Sequence, residues 1–291
     1  MDRRQFLFAG LSAVAGSAIV SRPVRAQQRL SVLAAGRTNV VALQTGDAMV
    51  LVDSGAPELA NALISSLPAR ATTVFNTHWH LENTGANEGL RDTGAEIVAH
   101  EITRQWMSTP TWLPAEDRYR DPRPKAAQPT KTFYTNGSMT AGAEHIEYGY
   151  LIEAHTSGDI YVFFRDANVL AVGDVASPVR DPELDYLTGA WLGGRVDAMT
   201  RLIKMSDNET RIVPGFGPVI TRAQLQAEHD VMKTIYDRAV DRVRQGDSPD
   251  DMLQAGLLGD LPRTWTDPRK FAYAVHKGMW AHHNKLNANI V

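Results

Sequence analysis

Short β-rich runs alternate with helical stretches twice along this chain, and that rhythm constrains its fold more than any other feature. In the first half, residues 40–43 and 48–52 are β-rich and are separated by Thr45-Gly46-Asp47, a hairpin signal. Residues 57–67 carry helical apolar spacing that stops at Pro68. Residues 72–76 then return to strand, 83–93 to helix and 96–99 to strand. The second half repeats the order, with β-rich runs near 132–134, 145–153, 160–164 and 169–172. A helix over 196–205, a short strand at 212–213 and a long amphipathic helix over 224–245 follow. Residues 248–287 read as a helical tail, with Pro249 and Pro268 near helix starts. Such a pattern predicts an α/β fold of two similar halves packed as layers. Between the halves, residues 110–129 hold five prolines and few apolar residues, which marks a surface excursion or a lid.

The N-terminus reads as an address. Arg3-Arg4-Gln5-Phe6-Leu7 opens an uncharged stretch over 6–21, and Val24-x-Ala26 offers a small-residue cleavage pattern. Twin arginines followed by Phe-Leu predict export by the twin-arginine route, removal of residues 1–26 and a periplasmic mature protein. Sixteen uncharged residues fall short of the roughly 20 that span a bilayer, so no stable membrane anchor is expected after cleavage. Residues 27–291 then form one domain, with 221–291 as its helical C-terminal part. Without residues 1–26, which carry four arginines and one aspartate, the chain has 26 basic and 32 acidic residues and a net charge of −6. That balance gives no electrostatic reason to bind nucleic acid; a small-molecule substrate is the expected partner. The sequence carries no signal for oligomeric state.

Cysteine is absent, which excludes disulfide scaffolds, thiolate zinc sites, iron–sulfur clusters and thiol nucleophiles. Ser157 and Ser177 lack a Gly-x-Ser-x-Gly context, and no phosphate loop or dinucleotide fingerprint is present. Histidine is the residue type left with something to explain. Of nine histidines, His100, His145, His229, His276, His282 and His283 read as ordinary surface or strand-flanking residues. His78 and His80 differ, because they follow an apolar strand at the point where the chain leaves the sheet. At i, i+2 spacing two imidazoles can converge on one point, and ligand sites in layered α/β proteins gather at strand ends. His155 also follows a β run, in Glu153-Ala154-His155-Thr156-Ser157-Gly158-Asp159. Asp174 ends another in Leu170-Ala171-Val172-Gly173-Asp174, and Pro214-Gly215-Phe216-Gly217-Pro218 makes a Gly-rich turn after a further strand.

Taken in order, these segments resemble the metallo-β-lactamase-fold superfamily over most of the mature chain. In that family a hairpin ends in an Asp-Thr/Ser-Gly turn, matched here by Asp53-Ser54-Gly55. A His-x-His-x-Asp-His motif, a His before a Gly-Asp turn, a Gly-Asp at a strand end and a Gly-His-Gly turn follow. The resemblance implies a four-layer αββα sandwich with metal-bearing loops at one edge of the two sheets, extended here by the C-terminal helices. It implies His78, His80 and His155 as ligands of a first zinc (or other divalent metal), with Asp174 at the position that bridges to a second.

The departures fall on that second position. The Asp of the motif is Glu82, the histidine after it is Asn83, and the histidine of the Gly-rich turn is Phe216. Phe cannot bind a metal and a neutral amide is a poor zinc ligand, so about one zinc per chain is expected. A three-imidazole site with an open position lowers the pKa of bound water to about 7, which supplies hydroxide at neutral pH. Glu82 would orient that water or act as general base, and Asp174 would stabilise a protonated leaving group. On this reading the chain is a zinc-dependent hydrolase of a small ester, lactone, thioester or related bond. The alternative is a non-catalytic periplasmic relative that keeps the fold for binding or structure. Asp53 is expected to brace its loop, Asp159 to shape the turn after His155, and Trp79 to pack inward. Tyr186 and Trp191 either line the pocket or pack ordinarily.

Overall fold

A computed structural model describes residues 20–23, 30–113 and 117–286. The proposed signal segment 1–26 therefore lies outside the described residues, apart from Val20–Pro23. Among the described residues no helix is long and apolar enough to cross a membrane.

The first sheet runs in the order β1 (Val20–Pro23), β2 (Leu30–Ala35), β3 (Thr38–Thr45), β4 (Ala48–Val52), β5 (Arg70–Phe75), β6 (Glu96–His100) and, after the interlude below, β9 (Lys131–Phe133). β1 to β4 pair antiparallel and β4, β5, β6 and β9 parallel. Between β6 and β9, β7 (Thr111–Leu113) and β8 (Arg118–Arg120) form a separate two-stranded antiparallel sheet. The second sheet is β10 (Asn136–Ala141), β11 (Glu144–Tyr150), β12 (Ile160–Phe164), β13 (Val169–Gly173) and β14 (Arg211–Pro214), antiparallel except for the last pair.

Alternation along the strands explains the layering. Side chains on successive strand residues point to opposite faces. Val41 and Leu43, Val50 and Val52, Ile160 and Val162, and Val169 and Ala171 all enter one core between the two sheets. Their neighbours Val40 and Ala42, with Met49 and Leu51, pack under Leu63 and Leu90. Those two leucines come from α1 (Ala60–Ser66) and α3 (Asn87–Asp92), with α2 (Leu81–Thr84) just before α3. On the far side, Tyr161, Phe163, Leu170 and Val172 pack against the C-terminal helices. These are α5 (Leu192–Met205), α6 (Arg222–Gln245), α7 (Pro249–Gln254) and α8 (Pro268–Leu286), while α4 (Glu101–Ser108) follows β6. Helix, sheet, sheet, helix is the αββα sandwich expected from the sequence, with its helical extension.

Several elements depart from the sequence expectation in detail. α4 and β10 were not expected, and α5 starts at Leu192 rather than near 196. The tail is two helices with a turn and coil between them, α7 and α8, each begun at its proline as expected. Part of the Pro-rich segment forms the β7–β8 pair, and its end leans on the edge where the histidines lie: the Arg120 guanidinium sits 4.0 Å over the Trp79 ring.

Strand direction decides what gathers at that edge. β4, β5, β13 and β14 run parallel within their sheets, and β11 is antiparallel to β12, which is antiparallel to β13. The C-terminal ends of β4 and β5 thus face one way in the first sheet, as do those of β11, β13 and β14 in the second. Asp53, His78, His155, Asp174 and Phe216 each follow one of those ends.

Candidate metal centre

His78 and His155 are fully buried and His80 nearly so. Their rings stand edge to face, with centroids 4.7 to 4.9 Å apart. One ring nitrogen from each lies within 4.8 Å of the other two.

Hydrogen bonds settle which nitrogens face inward. Thr77 Oγ1 donates to Asp53 Oδ2 at 2.8 Å, so its proton is committed and His78 Nδ1, 3.0 Å away, must donate to it. His155 Nδ1 donates to the Glu183 carbonyl at 2.9 Å. His80 Nε2 donates to Asp185 Oδ2 at 3.3 Å. Each ring thereby engages its outer nitrogen, leaving His78 Nε2, His80 Nδ1 and His155 Nε2 to converge on one point. His78 Nε2 is buried with no partner, and His155 Nε2 faces His80 Nδ1 at 3.1 Å. Two imidazole nitrogens at that distance are held together by a shared proton or by a metal cation between them. Nitrogens of a tetrahedral site with bonds of about 2.1 Å stand ~3.4 Å apart, so the cluster fits a zinc-sized ion.

Electrostatics point the same way. Burial, then the neighbouring imidazoles, holds His78 well below the ordinary histidine range. Burial likewise dominates for His155, which is also held well below it. A neutral imidazole is the form that binds metal. Burial also opposes charge on His80, but the hydrogen bond and charge of Asp185 outweigh it and raise the ring's proton affinity. A carboxylate behind a ligand imidazole raises its basicity and fixes its tautomer.

The supporting residues fall where the loops cross. Asp53 adopts φ 61° and accepts from Thr77 N at 2.7 Å and Asn83 Nδ2 at 3.1 Å, which makes it the brace expected from the sequence. Its full burial pushes the carboxyl up to about 7 against those hydrogen bonds. Asp159 accepts from the backbone of His155 and Thr156 at 2.6 and 2.8 Å and so shapes the turn. Gly173, at φ 54°, leaves room for Thr77: a Cβ there would stand 2.6 Å from Thr77 Oγ1. Trp191 stacks on His282 at 3.6 Å and Tyr186 packs on Tyr273, the ordinary packing of the two alternatives.

Glu82 and Asp174 stand outside the three-nitrogen cluster. Glu82 accepts from Thr38 Oγ1 at 2.9 Å through its backbone carbonyl, and its carboxylate has no hydrogen-bond partner among the described residues. Asp174 is buried beside the cluster, with Oδ2 3.8 Å from His155 Nε2. That oxygen is already bonded by the Arg180 guanidinium, which also lies 5.0 Å from the centre of the Phe216 ring. Asn83 donates Nδ2 to Asp53, while its Oδ1 is buried with no hydrogen-bond partner. Around the places of the family's second metal this chain therefore has a carboxylate bonded by a cation, an aromatic ring and an amide that donates to Asp53. Arg180, Asp185, Thr77 and Glu183 were not singled out from the sequence. Thr77 adjoins His78 and was within reach, but nothing local marks the other three.

A four-layer αββα sandwich with a three-histidine cluster at its strand ends defines a class of metal-binding fold. The chain belongs to the metallo-beta-lactamase superfamily, whose family model matches residues 33–219. No curated protein matches it by sequence. Among solved structures it is similar to a metallo-beta-lactamase from Pontibacter korlensis, with 18% identity, a TM-score of 0.59, and coverage of 74% of this chain and 99% of that one. It is also similar to the BLEG-1 B3 metallo-beta-lactamase, at 22% identity and TM-score 0.55 over 64% of this chain and 90% of that one. DIM-1 metallo-beta-lactamase gives 15% identity and TM-score 0.58 over 75% and 98%. At these identities the likeness is one of fold.

Proposed function

We propose that the protein is a periplasmic hydrolase that works with one divalent metal, zinc by preference, on a small ester, lactone, thioester or related bond. The observation that carries this reading is the set of three converging imidazole nitrogens, with each ring held by an outward hydrogen bond. Three protein ligands leave a fourth position open, and a metal there supplies Lewis-acid polarisation and a water-derived nucleophile at neutral pH. The chain's own residues do the rest. Asp53 through Thr77, Asp185 and the Glu183 carbonyl hold the three rings in the binding tautomer. The unpartnered Glu82 carboxylate, whose charge is felt at His80, is free to accept a proton from a water at the mouth of the site. Asp174, neutralised by Arg180, supplies no free charge for a second ion. The twin arginines and the Ala26 pattern support export and cleavage.

The test is metal stoichiometry on the exported, processed protein, followed by hydrolysis of a nitrophenyl ester, a thioester and a lactone before and after chelation. About one metal per chain, with turnover lost on chelation and restored by zinc, is expected. Two tightly held metals refute the one-metal reading. Metal without turnover of any of the three supports the non-catalytic alternative, which the engagement of Asp174 by Arg180 otherwise favours.

A further inference from the structure

Among the described residues the largest fully buried side chain is a charged one, Arg195 of α5. Its Nη2 donates to Ser177 Oγ at 2.8 Å and pairs with Glu228 Oε1 of α6 at 3.5 Å. Its Nη1 donates to the Glu183 carbonyl at 3.3 Å. Apolar side chains of similar volume often replace a buried ion pair at no cost in stability. Packing alone therefore does not call for this arginine, and its reason lies in the groups that it holds.

Those groups back the metal centre. The Glu183 carbonyl accepts the His155 Nδ1 proton. Two residues on, Asp185 N donates to the His155 carbonyl at 2.9 Å, and the Asp185 carboxylate accepts from His80 Nε2. Residues 183–185 thus support two of the three imidazoles, and Arg195 holds the first residue of that segment. Nearer Asp174, Glu228 accepts from Ser177 N at 2.9 and 3.1 Å, and Arg263 donates to the carbonyls of Ser177 and Arg180. Glu228 and Arg263 lie beyond residue 219, where the match to the family model ends. A line of contacts therefore runs from α6 through Arg195 and one carbonyl to a metal-facing ring. Burial and the His80 ring oppose protonation of His155 most, and the Arg195 charge adds to them, which favours the neutral form that binds metal.

We propose that Arg195, locked by Glu228, is a positioning residue for the metal centre: it fixes the Glu183 carbonyl and, through it, the His155 ring. The C-terminal helices complete the site as well as covering the second sheet. This rests on the one-metal reading for what the histidines hold, and it assigns part of their affinity to residues outside the family match. Arginine suits the role because its planar fork bonds Ser177, Glu228 and Glu183 at once, which fixes the carbonyl in direction as well as distance.

Removing one member of a buried pair strands the charge of the other, so Arg195→Met alone tests the fold more than the site. The informative variant is Arg195→Met with Glu228→Gln, which removes both charges and keeps an oxygen to accept from Ser177 N. Leu225→Ala, a fully buried leucine of the same helix, is the control for lost stability alone. Three quantities are read in full-length protein: zinc affinity by chelator competition, the visible spectrum of the cobalt-loaded form, and exchange of the His155 Nδ1 proton by NMR without metal. In the double variant zinc affinity is expected to fall roughly 10- to 100-fold at unchanged stoichiometry. Its cobalt bands should shift and its Nδ1 proton should exchange faster. Arg195→Lys, which keeps a charge and a donor, should lie nearer wild type than the double variant does. Leu225→Ala should lower the urea midpoint and leave all three quantities as in wild type. A double variant equal to wild type in all three overturns the inference and leaves the hydrolase reading standing; so does an equal loss in Leu225→Ala. Wild type without metal overturns the one-metal reading, and the proton-exchange comparison, made on metal-free protein, still decides the role of Arg195. Should the double variant not fold, Arg195→Gln with Glu228→Gln, a neutral hydrogen-bonding pair, is read in the same way.

Discussion

The two sides of this strand-end cluster are made of opposite materials. On the His78, His80 and His155 side the outer nitrogen of each ring is matched by a hydrogen-bond partner, and the three inner nitrogens face one another. On the Asp174 side the order reverses: the group in front, the carboxylate, is already answered by Arg180, the neighbour Phe216 offers a metal nothing, and Asn83 gives its Nδ2–H to Asp53. Three converging imidazole nitrogens are a demand for a cation; a carboxylate beside a guanidinium has had that demand met from within the chain. The difference teaches that loss of second-site histidines need not leave a hole. Here the vacancy is filled by charge of the same sign.

Breaking the first side should have the largest effect. His155→Ala or His78→Ala removes one of three ligands, and metal content is expected to fall from about one per chain to background by elemental analysis. Retention of metal in either variant would place the ion elsewhere and end the comparison.

Rebuilding the second side is the next step down. Glu82→Asp, Asn83→His and Phe216→His together restore the family's second-site residue types but leave the Arg180 cation in place. That triple variant is expected to keep about one metal per chain, and the same triple with Arg180→Ala to take up about two. Uptake of a second metal by the triple alone would show that Arg180 yields readily.

A smaller change sharpens the histidine side without dismantling it. Asp185→Asn keeps the shape of the residue behind His80 but removes the charge that raises its basicity. Metal affinity is expected to fall roughly 10- to 100-fold with stoichiometry unchanged, measured by competition with a chelator. An unaltered affinity would mean that Asp185 orients nothing.

How much of this could be read beforehand divides along physical lines. β5 was legible because its apolar run ends abruptly in Thr77-His78-Trp79-His80, and the β12–β13 pair because both strands are buried on both faces. β10 was not: Asn-Gly-Ser-Met-Thr-Ala is polar, with alternating exposure at a sheet edge, and only its pairing with β11 makes it a strand. α4 is short and weakly apolar, and is held by contacts such as Thr103 Oγ1 to the Gly158 carbonyl at 2.8 Å. The histidine side was legible because residue type announces a ligand and strand ends announce a site. Arg180 was illegible because an arginine in a loop announces nothing. Its placement depends on Glu228, 51 residues beyond the Ser177 amide that it holds. Asp185 reaches His80 across 105 residues of chain, a contact that only the closing of the two sheets creates.

The mildest test acts on the Asp174 side alone. Gly215 has no side chain where a Cβ would come within 2.2 Å of Asp174 Oδ1, a buried oxygen with no hydrogen-bond partner. Gly215→Ala must push that carboxylate toward Arg180, and the arginine, a third exposed, has room to give. The expected cost is therefore at the low end for overpacking, about 1 kcal/mol, read as a lower urea midpoint with unchanged slope. Because Asp174 Oδ2 is 3.8 Å from His155 Nε2 rather than bonded to it, the histidine cluster should not follow the movement. Metal affinity equal to wild type alongside the lost stability would show that the two sides are separable; a parallel fall in both would show that Asp174 belongs to the metal's own shell.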